Sequence, residues 1–226
     1  MSLAIIVPML NEAAGIGATL AALRELDVEI VAVDGGSSDK TVHSAAPHAD
    51  FLIKSARGRA RQMNAGAAAT QAEFLLFLHA DTALPPAADQ LICNALTHGA
   101  DWGRFDVRIS GNSRWFPIIA SLMNLRSRLT GIATGDQAIF VKRCAFEQIG
   151  GFPDIPLMED IVLSQRLKKI SRPACLRQKV TTAGRRWEKH GVLRTILTMW
   201  WLRLRFVFGA DPQKLAVEYG YAPTTR

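Results

Sequence analysis

Four apolar runs punctuate the first hundred residues: "LAIIVPML", "VEIVAVD", "ADFLIK" and "EFLLFLHAD". They are nearly continuous in apolar residues rather than alternating, the pattern of strands covered on both faces. Between them lie segments with helical spacing. Glu12 to Leu26 carries Ile16, Leu20, Leu23 and Leu26, and Arg57 to Thr70 is Ala-rich with Met63. Pro85-Pro86 opens a further helix to about His98. This alternation dictates an α/β fold, a mostly parallel sheet flanked by helices. Such sheets bind ligands outside the carboxyl ends of their strands. Three polar clusters fall there: Asn11-Glu12, Asp34 to Asp39, and His79-Ala80-Asp81.

The second half is less regular. "DWGRFDVRIS" reads as a strand exposed on one side, and Trp115 to Leu129 as a helix with Ile118, Leu122 and Leu125 inside. "QAIFVKR" reads as a strand, and "CAFEQIGGFP" as a helix stopped by Gly150-Gly151. "MEDIVLSQRLKK" has acids in its first turn and bases in its last, which suits a helix dipole. No repeat or linker interrupts the chain. One domain over 1–226 is expected, with a nucleotide-binding half (about 1–100), an acceptor half (about 101–180) and an amphipathic C-terminal helix (about 185–210).

Charge narrows the partners. The chain carries a formal +7, and Arg166 to Arg205 holds twelve Lys or Arg against one carboxylate, Glu188. Polyanionic partners follow: a nucleoside diphosphate, nucleic acid or an acidic membrane face. No aromatic-basic interleaving supports nucleic acid. "VLRTILTMWWLRLRFVFG" is long and apolar, but Arg194, Arg203 and Arg205 lie inside it. An arginine costs about 2.5–3.5 kcal/mol near a bilayer centre, so an amphipathic helix on the domain or in a membrane interface is expected. Cys93, Cys144 and Cys175 show no zinc spacing and read as reduced thiols. With no basic leader before the first apolar run, a cytoplasmic protein is expected, peripheral at the inner membrane face.

Each cluster has a plain structural reading. Asp34 before two glycines makes a turn; it also makes an acceptor for a base or ribose. "DGGSSD" is neither a P-loop nor a dinucleotide fingerprint. Lys54, Arg57, Arg59 and Arg61 crowd a helix start, where cations oppose the dipole, and a bound anion is one reason. Glu159-Asp160 caps a helix, or supplies a general base. Their side chains diverge by about 100°, so one base rather than two is expected.

Together these segments resemble a family 2 glycosyltransferase of the GT-A fold. "IIVPMLNE" is similar to that family's opening strand, "VDGGSSDKT" to its nucleotide turn, "LHADT" to its Asp-x-Asp motif and "MEDIVLSQRL" to its base motif. "GRARQMNAGA", "GDQAIFVKR" and "RRWEKHGVLRT" resemble a bacterial subgroup associated with radical-SAM or selenium-related proteins. The resemblance implies an inverting, metal-dependent transfer from a nucleoside-diphosphate sugar, a UDP-sugar first, to an unknown hydroxyl acceptor, lipid-linked if the basic C-terminal segment meets a membrane. Pro8, Asn11 and Glu12 would border the nucleotide, Asp34 would meet the base, and Arg57 would lie near base or diphosphate. Asp81 would bind Mn²⁺ or Mg²⁺. His79 stands where the family has its first Asp and could donate to the ribose, and His190 could add a nitrogen to the metal. Asp160 would be the catalytic base, with Glu159 beside it. The rivals are a nucleotide-sugar-binding module without turnover and a nucleotidyltransferase, whose Gly-rich basic signature "PMLNEAAGIG" lacks.

Overall fold

The computed structural model describes residues 2–221, apart from the side chains of Arg186 and His190. Its elements run β1 Leu3–Met9, α1 Ile16–Leu23, β2 Glu29–Asp34, α2 Thr41–Ala45, β3 Phe51–Lys54, α3 Arg59–Ala68, β4 Phe74–Phe77, β5 Thr82–Ala83, α4 Ala88–Thr97, β6 Trp102–Ser110, α5 Phe116–Thr130, β7 Ile139–Lys142, α6 Arg143–Gln148, α7 Glu159–Leu167, β8 Ala174–Ala183, α8 Arg185–His190, α9 Val192–Val207 and α10 Pro212–Glu218. A 3-10 turn lies at Gly135–Gln137.

One eight-stranded sheet has the order β3-β2-β1-β4-β7-β6-β8-β5. β3, β2, β1 and β4 are parallel, whereas β7 is antiparallel to both β4 and β6. The alternation of side chains along β1 builds the two layers. Leu3, Ile5, Val7 and Met9 enter a core with α1, α4 and α5, while Ala4 and Ile6 enter another with α3, α6 and α7. Gly66 lets α3 sit on the sheet: a Cβ there would overlap Ile6 Cγ2 and meet Val33 Cγ2 at 3.0 Å.

Pro8 explains where the sheet opens. Leu78 donates to Ile6 O, so even residues of β1 face β4, and Gly35 donates to Met9 O, so odd residues face β2. The β1–β4 ladder ends at the Ile6–Phe77 pair. Pro8, which has no N–H, therefore sits where no ladder bond is lost. β1 and β4 part there, at the point where the strand order reverses, and the polar clusters gather at that gap.

Two sequence expectations fail. β6 is buried on both faces from Trp102 to Val107 rather than exposed on one, because β7 and β8 flank it and helices cover it. In α5, Ile118, Leu122 and Leu125 point outward with Trp115 and Leu129, and Leu122 is 61% exposed. The inward face is Phe116, Ile119, Ala120, Asn124 and Ser127. Both faces have helical spacing, and the one chosen carries the hydrogen bonds: Asn124 accepts from Val107 N and donates to Val107 O, beside the bulge at Phe105/Asp106.

The C-terminal segment splits into α8, α9 and α10, with Gly191 at φ +80° between the first two. Val192 and Ile196 pack inward, but Leu193, Leu197, Trp200, Trp201, Leu204 and Phe208 are exposed. Leu202 of α9, with Leu215 and Ala216 of α10, packs on Leu157 and Met158 just before α7. No helix among the described residues is long and apolar enough to cross a membrane.

Candidate active site

The loops after β1 and β2 are laced together. Asn11 sits in the left-handed region (φ 54°), which its short polar side chain tolerates. Its N–H donates to Ser37 Oγ at 3.0 Å and its Oδ1 accepts from Ser38 N at 2.9 Å. Glu12 N donates to Thr41 Oγ1 at 2.7 Å, and Ala13 N to Asp39 Oδ2 at 3.3 Å. Thr41 also hydrogen-bonds Asp39, holding that carboxyl below its usual range. Asp34 is buried and accepts from Gly36 N and Ser37 N, closing the turn that Gly36 makes at φ +91°. Under the rim, buried Gln62 donates to Met9 O and Val33 O at 2.9 and 2.8 Å, pinning α3 to the ends of β1 and β2. Pro8 and Glu12 are half-buried on this rim, and Arg57 is exposed on the loop before α3.

His79-Ala80-Asp81 leaves β4 between two cavities. A cleft of about 390 Å³ is lined by Glu12, Thr19, Ala80, Asp81, Ser110 and Arg185, among others. Thr19 Oγ1 holds the segment by donating to Ala80 O at 2.8 Å. Arg185 Nη2 donates to Asp81 Oδ2 at 3.0 Å and to Glu12 Oε2 at 3.2 Å. The Asp81 bond, with Glu12 beside it, raises the Arg185 pKa further. One cationic nitrogen thus bridges two carboxylates from different strands' ends.

A second cavity, of about 10 Å³, is lined by Arg59, His79, Gly135, Glu159 and Asp160. Here Asp160 Oδ2 accepts from Gly135 N at 2.8 Å and Oδ1 from Ile161 N at 2.7 Å. A carboxylate has about four lone-pair sites, so Asp160 keeps capacity for another proton donor. Glu159 is 2% exposed, and its Oε1 lies 3.4 Å from Arg59 Nη1. Burial pushes its carboxyl up, against the pull of Arg59. His79 Nδ1 lies 3.4 Å from Asp136 Oδ1, and its buried Nε2 has no hydrogen-bond partner among the described residues. His79 therefore faces the Asp160 cavity, while Asp81 faces the cleft.

The expected basic cluster is divided. Arg59 pairs with Glu159 and donates to Tyr221 Oη at 3.1 Å, and Arg61 pairs with Asp154 at 2.8 Å. Internal ion pairs thus account for two of these cations. His190, expected as a further metal ligand, lies outside the described side chains. Among the described residues no three His, Cys, Asp or Glu side chains cluster as a ready-made metal cage. Three contributors were not singled out from the sequence: Arg185 as the carboxylate bridge, Gly135 as the donor to Asp160, and Gln62 under the rim. Arg185 carried one signal, a basic pair in a segment with a single carboxylate.

A family model described as glycosyl transferase family 2 matches residues 4–147. No curated protein matches the chain. Among solved structures, S. aureus TarS 1-349 is similar with TM-score 0.65 at 17% identity, covering 81% of this chain and 61% of that one. The mannosyltransferase PcManGT from Pyrobaculum calidifontis, in complex with GDP-Man and Mn²⁺, is similar with TM-score 0.63 at 21% identity, covering 95% and 66%. Glucosyl-3-phosphoglycerate synthase from Mycobacterium tuberculosis, in complex with Mg²⁺ and UDP, gives 0.59 at 18%, covering 80% and 70%. These likenesses show the fold. The chain spans about three fifths of the TarS fragment it matches.

Proposed function

The chain belongs to glycosyl transferase family 2, and from that premise we propose that it moves a sugar from a nucleoside diphosphate to an acceptor hydroxyl with inversion. The observation that carries the reading is the β4 exit, where Asp81 borders the open cleft and His79 borders the cavity of Asp160. Donor and acceptor chemistry meet across three residues. Asn11, Glu12 and the turn of Asp34 frame the nucleotide, with Pro8 at the opening and Arg57 free to reach the diphosphate. UDP is the first donor to test, since TarS has been solved with UDP and with UDP-GlcNAc. PcManGT, with GDP-Man, makes GDP the control.

The donor set fits a hard divalent cation. Arg185 already stands as a cation between Glu12 and Asp81, and carboxylate oxygens suit Mg²⁺ or Mn²⁺. Asp81 would hold the metal with Glu12 in reach, and a nitrogen from His190 would favour Mn²⁺. A bound cation supplies Lewis-acid stabilisation of the departing diphosphate. Asp160, oriented by Gly135 N–H, accepts the proton of the acceptor hydroxyl as that oxygen attacks the anomeric carbon and the sugar–phosphate bond breaks. Glu159 is the wrong carboxylate for that task, being buried against Arg59. A single displacement inverts the centre. His79 positions the cavity wall beside Asp136, and its ribose contact requires the ring to turn.

The subgroup associated with radical-SAM or selenium-related proteins is a finer reading. It rests on the three quoted motifs, the last of which, "RRWEKHGVLRT", lies beyond the family match. A lipid-linked acceptor and work at the inner membrane face complete the proposal. Thermal unfolding with UDP, GDP and ADP, each with and without Mn²⁺, tests the donor site. Stabilisation by one diphosphate that grows with Mn²⁺ is expected; equal melting in all arms would remove the nucleotide-sugar reading.

A further inference from the structure

α5 and α9 lie on the same side of the molecule. Phe116 of α5 meets the α8 end at Gly184, and Trp187, Val192 and Ile196 pack against the core that holds Phe116 and Ile119. Further along, Arg126 of α5 and Arg203 of α9 act on each other electrostatically. Each helix turns an apolar stripe outward, and three tryptophans, Trp115, Trp200 and Trp201, are exposed among them; Trp200 is 72% exposed. A patch of this kind on a monomer marks an interaction surface.

The charges say what covers it. Residues 111–130 and 191–209 hold six arginines, namely Arg114, Arg126, Arg128, Arg194, Arg203 and Arg205, and no Asp or Glu. A second copy seated by two-fold symmetry would set these arginines against themselves. Arg128 and Arg205 are partly spent on Asp106 and Glu218. Arg126 and Arg203 are not: Arg126 Nε and Nη2 and Arg203 Nε are buried without hydrogen-bond partners among the described residues. Burial, with Arg203 adding to it, pulls the Arg126 pKa down to about 10, although Asp160 and Asp136 act in the opposite sense. Arg114 and Arg194 stand exposed beside the two apolar stripes, and tryptophans among arginines suit the headgroup level of a bilayer.

We propose that the exposed faces of α5 and α9 together form a docking surface for an anionic lipid bilayer, with the exposed Arg114 and Arg194 taking headgroup phosphate. Such docking would bring a lipid-linked acceptor to the protein's surface. In that last point alone it rests on the proposed glycosyl transfer; the surface stands without it.

The full chain is sedimented with vesicles of phosphatidylcholine alone and of phosphatidylcholine with phosphatidylglycerol, without any nucleotide. Binding to the anionic vesicles is expected, with a blue shift of tryptophan emission, weakening at high salt as the charges are screened. Replacing one arginine, as in Arg194→Gln, is expected to weaken partition about fivefold, the factor for about 1 kcal/mol per basic residue at an anionic surface. Leu122→Asp/Leu129→Asp on α5 is expected to weaken it at least tenfold; these side chains are exposed, and an unchanged melting temperature confirms the fold. Binding that survives the α5 pair would confine the surface to α9 and overturn the joint face. Equal binding to both vesicles would overturn the anionic occupant. No binding to either, with a dimer by analytical ultracentrifugation that the α5 pair dissolves, would assign the face to a second copy. No binding with a monomer would overturn the proposal outright. Failure of donor binding, read separately by the nucleotide melting series, leaves these outcomes unaffected.

Discussion

The two carboxylate sites on either side of His79-Ala80-Asp81 are built in opposite ways. Asp81 borders an open cleft, and its partner Arg185 is a surface side chain, 60% exposed, shared with Glu12. Such a pair contributes little to stability, because water competes for both charges. Asp160 and Glu159 line a cavity nearly closed to solvent, and their partners are a backbone amide, a neighbouring N–H and Arg59. The first site is suited to exchange its cation for another. The second is suited to hold one geometry while a single proton moves. A transferase needs both, since its donor must come and go while its base stays aimed.

The sharpest way to test that contrast is at the closed site. Asp160→Asn keeps an oxygen for the Gly135 amide but loses the basic lone pair. Turnover is expected to fall about 10²–10⁴-fold, the range for general-base catalysis, with nucleotide-dependent melting retained. If Glu159→Gln is instead the crippled variant and Asp160→Asn is not, the base assignment reverses. At the open site Asp81→Asn should leave the fold unchanged and remove the Mn²⁺-dependent part of nucleotide affinity, read by calorimetry. Unaltered affinity in Mn²⁺ would show that the cleft keeps arginine as its cation.

The rim was legible because a parallel sheet leaves little freedom. Once "IIVPMLNE", "IVAVD" and "FLLFLHAD" are buried strands, Asn11, Asp34 and Asp81 must emerge at one edge. The inner face of α5 was not legible. Its buried side includes Asn124 and Ser127, and its exposed side Leu122, Leu125 and Leu129, so hydrophobicity points the wrong way. What selects the face is one amide that pairs with both backbone groups of Val107, a contact no periodicity contains. Arg185 was equally hidden. Its charge was visible, but the return of β8 that carries it beside Asp81, through the Ala183 N to Asp81 O bond, is a tertiary fact.

The smallest effect separates burial from pairing at Glu159. Its carboxyl is pushed above the ordinary value of 4.5, first by burial and then, among the raising causes, by Asp160, with Arg59 pulling the other way. The folded state therefore holds this proton more tightly than the unfolded chain does. Below pH 4.5 both states carry it, and the stability it confers is fully present. As pH rises past 4.5 the unfolded chain ionises first, and that contribution is lost until the folded carboxyl also ionises. Glu159→Gln cannot ionise and does not share the loss. The denaturant-midpoint difference, wild type minus Glu159→Gln, should thus decline from pH 4 upward and level off once the folded group is charged. A difference that instead grew with pH would mean that the Arg59 ion pair outweighs burial, and the closed site would then be held by charge, as the open one is.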